Sequence, residues 1–273
     1  MSSLSISKAW DETKASVARD GRLIGAVALA LILLPQAIAG ALVPSPALSG
    51  EQAPAWFPLL SLIVAVIEVT GQIAIVRLTL QPTSVGEAIA HAGRRVPGMI
   101  GAALLLGLPL MLVLIVVLLA VAGPGGMDAI AKGGSVPSGL ALVIVLFFLA
   151  AMAVTIRFLM AVPVAAMDSG NPITILQRSW DLTRGHYLRL LGFLFAILFL
   201  AVVLLLVAEM SAGILARVAF GDVKPMSLGA LLVALVSGAA QAVFAALTTM
   251  MLARIYAQLA GRGARGAVPK SGT

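Results

Sequence analysis

From Tyr187 to Met210 the chain is apolar except for Arg189 near one end and Glu209 near the other. A helix rises about 1.5 Å per residue, so about 20 such residues cross a hydrocarbon core of about 30 Å. Comparable runs lie at about 23–43, 56–80, 97–122, 138–166 and 227–258. Leu, Val, Ala and Ile follow one another without the period-two alternation of an outer-membrane barrel. Charged residues make up 11% of the chain, against roughly 25% in a soluble domain. A water-facing surface cannot be built from this material. The expected fold is all-α, a polytopic membrane bundle of six transmembrane helices arranged as three hairpins. Residues 1–258 form a single integral membrane domain.

The segments between the runs are patterned. Over residues 4–20, Ile6, Trp10, Thr13 and Val17 recur at steps of three and four, with Lys8, Asp11, Glu12, Lys14 and Arg19 elsewhere on the wheel. This predicts a short amphipathic helix lying in the membrane interface. Ala37-Ile38-Ala39 also resembles a signal-peptide cleavage site, which leaves residues 1–39 open to removal. The length and acidity of the preceding segment favour a retained helix. Ser84 and Glu87 match a capping box before a second amphipathic stretch, and Pro97 suits the first turn of the third span. The third span is expected to end before Gly123, with Asp128 and Lys132 in a loop. Asn171 and Pro172 suit the start of a third amphipathic helix, and Gly185 its stop. Ile173, Leu176, Trp180 and Thr183 form one face of it, and Gln177, Arg178, Asp181 and Arg184 the other. Arg217, Asp222 and Lys224 separate the last two spans, and the Gly-rich basic tail 259–273 is expected to be disordered.

Alternating sides along six spans place Lys8, Lys14, Arg19, Arg22, Arg77, Arg94, Arg95, Arg157, Arg178, Arg184, Arg189, Arg254, Arg262, Arg265 and Lys270 together. Lys132, Arg217 and Lys224 fall on the other side, giving 15 against 3 of the 18 bases. Bases accumulate on the cytoplasmic side, so both termini are expected there. The net charge of +7 is therefore a topology signal and not a nucleic-acid-binding one. Anionic lipid headgroups are the expected partners, with a protein partner or a second copy of the chain also open.

The charged segments repeat. Lys8-Ala9-Trp10-Asp11-Glu12-Thr13-Lys14 lies against Arg178-Ser179-Trp180-Asp181-Leu182-Thr183-Arg184, and the even spans end alike at Arg77, Arg157 and Arg254. The inferred unit is interfacial helix, span, short loop, returning span, arginine, beginning near residues 4, 84 and 171. The third copy, Arg178 to Gly185 followed by Tyr187-Leu188-Arg189-Leu190-Leu191-Gly192, resembles the signature segment of a group of bacterial multi-pass proteins. That group includes the membrane domain fused to some glycerophosphoryl diester phosphodiesterases. The resemblance implies a bacterial cytoplasmic (inner) membrane. It does not imply a phosphodiesterase, because these residues include no soluble domain with metal-binding carboxylates and histidines.

Cysteine is absent, which excludes disulfides and thiolate chemistry. The sequence motifs of hydrolases, zinc peptidases, nucleotide-binding loops and dinucleotide folds are also missing. His91 and His186 read as surface histidines. No enzyme activity, metal or cofactor is expected. Two sets of residues stand out. Glu68, Gln72, Gln36 and Gln241 should lie at mid-membrane depth, where a polar side chain is costly and marks either an ion or proton site or a hydrogen-bonded joint between helices. Trp10, Arg178, Trp180, Arg184, Arg189, Arg77, Arg157 and Arg254 are candidate lipid-headgroup contacts, the last three as snorkelling anchors or as a shared inward phosphate site. Ala230, Ala234, Gly238, Ala242 and Ala246 make a small-residue stripe, which asks for a central or dimerising sixth span. The expected role is non-enzymatic: membrane organisation, lipid association or assembly with partners. The alternative is a small transporter or proton-coupled carrier built on the mid-membrane residues.

Overall fold

A computed structural model describes residues 5–44, 52–131, 138–168 and 170–266. The described residues are helical and contain no strand. They form α1 (Ile6–Ala28), a π turn (Leu29–Leu33), α2 (Leu34–Leu42), α3 (Phe57–Leu80), α4 (Val85–Ala131), α5 (Ser138–Arg157), α6 (Ala161–Met167), α7 (Pro172–Thr183), α8 (Tyr187–Phe220) and α9 (Leu228–Gly266). Six stretches are long and apolar enough to cross a bilayer. The chain is an all-α, multi-pass membrane protein.

Helix α9 is the centre, packed against α8, α2, α1 and α3. Its small-residue stripe makes this possible: Ala230, Ala234, Gly238, Ala242 and Ala246 are all buried. A Cβ on Gly40 of α2 would sit 3.1 Å from that of Ala234, and one on Gly238 would meet Leu33 and Gln36. Without water to expel between helices in a bilayer, close backbone approach and dispersion supply the attraction. A third of the apolar window is buried in each of the first, second and sixth spans, against 6% in the third and fourth. One buried cluster is thus centred on α1–α3 and α9 and a second on α6, α7 and the start of α8, whereas α4 and α5 present Leu108, Leu112 and Phe148 outward.

Local signals behave as their chemistry dictates. Ser84 and Glu87 close a reciprocal capping box at 3.2 and 3.3 Å. Asn171 accepts from the Ile173 N–H at 3.0 Å ahead of Pro172. Gly185 takes φ +85° and ends the α7 segment.

Several boundaries differ from the sequence expectation. The first amphipathic segment is not a separate interfacial helix: α1 runs from Ile6 directly into the first span. The residue after Lys14 is Ala15, a strong helix former, whereas the residue after Arg184 is Gly185, which adopts the left-handed conformation. The second amphipathic stretch is likewise continuous with its span, so Pro97 lies inside α4 instead of opening it. That helix extends past Gly123 to Ala131, which puts Asp128 on a helix; Lys132 lies outside the described residues. The fourth span breaks at Phe158–Met160, because Pro163 offers no N–H to Leu159 and its ring crowds that carbonyl. Arg217 is inside α8. The tail is helical to Gly266, anchored by buried Leu259 against Ile255 and Tyr256. Residues 267–273 lie outside the described set.

Candidate functional site

The deep polar residues come from three helices of the core. Glu68 lies near the middle of α3, Gln36 follows Pro35 on α2, and Gln241 lies on α9. Glu68 Oε1 accepts from Gln36 Nε2 at 2.5 Å and from Gln241 Nε2 at 3.3 Å. Gln72, half-buried one turn along α3, does not join these bonds.

The local backbone explains the meeting. Pro35 cannot donate to Leu31, and the chain answers with a π turn in which the Leu34 N–H reaches the Leu29 carbonyl. The widened turn lies against Gly71, where a Cβ would stand 3.0 Å from that of Leu31. Each helix therefore offers an amide or carboxyl beside a glycine: Gln36 with Gly40, Glu68 with Gly71, Gln241 with Gly238. Oε1 takes both amide hydrogens, which leaves Oε2 as the oxygen able to carry a proton.

The second site is the charged end of the bundle, built around α7 and the start of α1. The α5–α6 break sends the Ala161 N–H to Phe158 and leaves the Arg157 carbonyl without its helical donor. Ser179 Oγ donates to that carbonyl at 2.9 Å and Thr183 Oγ1 lies 3.4 Å from it. The Arg157 guanidinium lies 4.6 Å from the Trp180 ring centroid and 5.5 Å from that of Tyr187, inside cation–π range. Phe158 packs obliquely on Trp180 at 6.1 Å.

The buried side of α7 cuts across the two faces read from the sequence. Ile175, Ser179, Leu182 and Thr183 are buried, whereas Ile173 and Trp180 are exposed. Helix α1 shows the same rotation: Ala9, Thr13 and Ser16 are buried, and Trp10 and Val17 face out. The reason is chemical. Small hydroxyl-bearing residues fit against neighbouring backbone, and the bulky tryptophans are left outside beside the bases Lys14 and Arg157.

The repeat pairing of residues 8–14 with 178–184 thus has a counterpart in space. Ala9 and Ser179 are fully buried, as are Thr13 and Thr183, while Trp10 and Trp180 are 43% and 45% exposed. Each amphipathic helix also meets an arginine from an even span. Arg157 stacks on Trp180, and Arg254 Nη2 donates to Ser16 Oγ on α1. Arg77, Arg157 and Arg254 each hold one buried guanidinium nitrogen without a hydrogen-bond partner.

The remaining predicted headgroup contacts are spread over this end. Arg178 Nε lies 3.5 Å from Asp168 Oδ2, and not beside Asp181; Arg184 and Arg189 are exposed. Lys14 sits 6.0 Å from the Trp10 ring. Sequence reading missed three ties. Tyr256 donates to Asp168 Oδ1 at 2.7 Å, joining α9 to the α6–α7 turn. Gln258 forms reciprocal 3.3 Å bonds with the Ser5 backbone, joining the two ends of the chain. His91, expected to be a surface residue, is half-buried and its Nε2 lies 2.9 Å from the Ala166 carbonyl oxygen, which fixes α4 to α6. These pairings span 75 to 253 residues, and no local pattern announces them. No cluster of three or more His, Asp or Glu suited to a metal occurs among the described residues.

A family model described as a domain of unknown function (DUF7847) matches residues 4–259. No curated protein and no solved structure matches the chain.

Proposed function

The chain belongs to that family, and from this premise we propose that it is a non-enzymatic protein of a bacterial cytoplasmic membrane whose charged collar associates with anionic lipid. Both termini face the cytoplasm in this reading. The observation that carries it is the matched exposure of Trp10 and Trp180 at repeat-equivalent positions whose neighbours are sealed. A tryptophan kept out of the core twice, each time flanked by bases, suits the headgroup level of a bilayer. Arg178, Arg184 and Arg189 add attraction of about 1 kcal/mol each to an anionic surface. The 15-to-3 partition of bases supports the orientation, and the resemblance of residues 178–192 to bacterial multi-pass proteins supports the compartment. The outward apolar faces of α4 and α5 leave room for lipid, a partner protein or a second copy.

Reconstitution into phosphatidylcholine vesicles containing brominated phosphatidylglycerol tests the reading. Tryptophan quenching should exceed that by brominated phosphatidylcholine at low salt, and the excess should shrink when Arg178, Arg184 and Arg189 are replaced by Gln. Equal quenching by the two lipids would overturn it.

A second reading, a proton- or ion-coupled carrier, is favoured by one observation: the convergence of Gln36, Glu68 and Gln241 from three helices on a single carboxyl oxygen. Its test is uptake into proteoliposomes, which Glu68→Gln should abolish.

A further inference from the structure

A cleft of about 360 Å³ opens between α1, the end of α3 and α9 at the charged end of the bundle. Its charged lining is Arg19, Asp20 and Arg254, and Leu23 and Leu78 contribute to an apolar wall. We propose that this cleft holds one phosphate group of an anionic phospholipid, gripped by Arg254 and Arg19. The proposal rests on the lipid-association reading and narrows it to a site.

Arg254 is the first reason. Nη2 is held by Ser16, and Nε is buried without a partner. Arg254 lines the cleft, and a guanidinium with one donor held by Ser16 and another left unpaired places uncompensated positive charge beside it, which suits an oxyanion. Arg77 and Arg157 share the unpaired nitrogen, yet neither lines this cleft. The shared inward site anticipated for the three arginines is thereby reduced to one.

Arg19 is the second reason. Its Nε and Nη2 both contact Asp20 Oδ2 at 2.8 Å, so the guanidinium faces a carboxylate at the cleft. An exposed pair of this kind is weak, and a phosphate competes with Asp20 for the same fork. Two arginines against one aspartate leave the site net positive, which disfavours a cation. The volume is at the small end of the range of about 300–1,000 Å³ for ligand pockets, enough for a headgroup and its glycerol. Leu23, 45% exposed, and the apolar wall beside it favour a lipid over free phosphate.

Native mass spectrometry of the full chain, extracted in mild detergent with added phosphatidylglycerol, tests the site. The expected result is one tightly retained phosphatidylglycerol, with affinity reduced roughly tenfold or more by Arg19→Gln or Arg254→Gln. Arg254→Lys should restore part of it, and Asp20→Asn should tighten it by removing the competitor. Arg19 is exposed, so Arg19→Gln tests the site even if Arg254→Gln fails to fold. Retention unchanged in Arg19→Gln, or weakened by Asp20→Asn, would overturn the proposal. Thermal stabilisation by inorganic phosphate with none by phosphatidylglycerol would overturn the lipid assignment. The collar reading fails separately. Loss of the lipid preference in tryptophan quenching, with the single retained lipid intact, sinks the collar and spares the cleft; the reverse sinks only the cleft.

Discussion

Ser179 donates its hydroxyl hydrogen to the carbonyl of Arg157 at 2.9 Å, across 22 residues of sequence. The bond seats α7 on the break in the fourth span, and the break exists because Pro163 interrupts the helix. A repeat of Trp, Asp and bases is thus held by its least conspicuous member. Thr183 Oγ1 lies 3.4 Å from the same oxygen and 3.0 Å from the carbonyls of Ser179 and Trp180, so its one hydrogen is shared and Arg157 is its more distant acceptor.

That sharing makes a coupled prediction. Ser179→Ala should destabilise the protein by roughly 1–2 kcal/mol, the usual cost of stranding a buried acceptor, reduced in part by Thr183. Adding Thr183→Val should cost more than the sum of the two single changes, because neither hydroxyl then serves Arg157. Thermal unfolding of the four variants in one detergent measures this; strict additivity would mean the hydroxyls act independently.

Two glycines of α4 should respond in opposite directions. A Cβ at Gly98 would collide with the backbone carbonyl of Gly170, a group that cannot swing aside. Gly98→Ala should therefore lower stability by about 1–3 kcal/mol, as overpacking does. Gly93 has nothing within 4 Å of its Cβ position, so Gly93→Ala should raise stability by up to about 1 kcal/mol through helix propensity. Opposite shifts in Tm are the expected signature, and a Gly98→Ala protein as stable as the parent would show that α4 does not approach the α6–α7 turn this closely.

Glu68 separates the two functional readings. Glutamine keeps an oxygen to accept from Gln36 and Gln241, so Glu68→Gln should leave Tm nearly unchanged, whereas Glu68→Leu strands both amides at a cost of roughly 1–3 kcal/mol each. For a structural joint, proteoliposomes of Glu68→Gln match the parent in every flux. A pH-driven flux present in the parent and lost in Glu68→Gln would establish the carrier reading instead.

Orientation is accessible because the chain has no cysteine. Single cysteines replacing Gln81, Gln52 or Asp222, all exposed, report sidedness with a membrane-impermeant maleimide. In intact cells Gln52→Cys and Asp222→Cys should label and Gln81→Cys should label only after lysis. The opposite pattern would invert the topology and remove the cytoplasmic collar from the proposed function.

Much of the candidate site was legible beforehand. Glu68, Gln36 and Gln241 stood out because a polar group at mid-span is conspicuous in any apolar run, and matching depth along the spans brought them to one level. Gln72 was conspicuous for the same reason, yet it lies outside the bonded group, since depth alone does not say which way a side chain turns. The collar is legible as a repeat, but that its first copy runs on into the span is not. Heptad-like spacing identified the faces of residues 6–17 and 173–183, but not which face is inner. In water the apolar face goes inward. Here Trp10 and Ile173 lie outside, and Ser16 and Ser179 meet guanidinium and backbone carbonyl inside.

What the sequence by itself determined was local or additive: six apolar spans, the Ser84–Glu87 capping box, the Asn171 cap, the Gly185 stop, and the small-residue stripe of α9. Each depends on neighbouring residues or on summed transfer energy, and a linear string carries both. Only the tertiary structure decided the rest: the rotation of α1 and α7 about their axes, the Tyr256–Asp168 and Gln258–Ser5 ties, and the choice of Arg254 over Arg77 and Arg157 as the arginine of the cleft. The physical reason is that lipid and protein interior are nearly equal solvents for leucine. Hydrophobicity sets the depth of each residue, and packing of distant segments alone selects its partners.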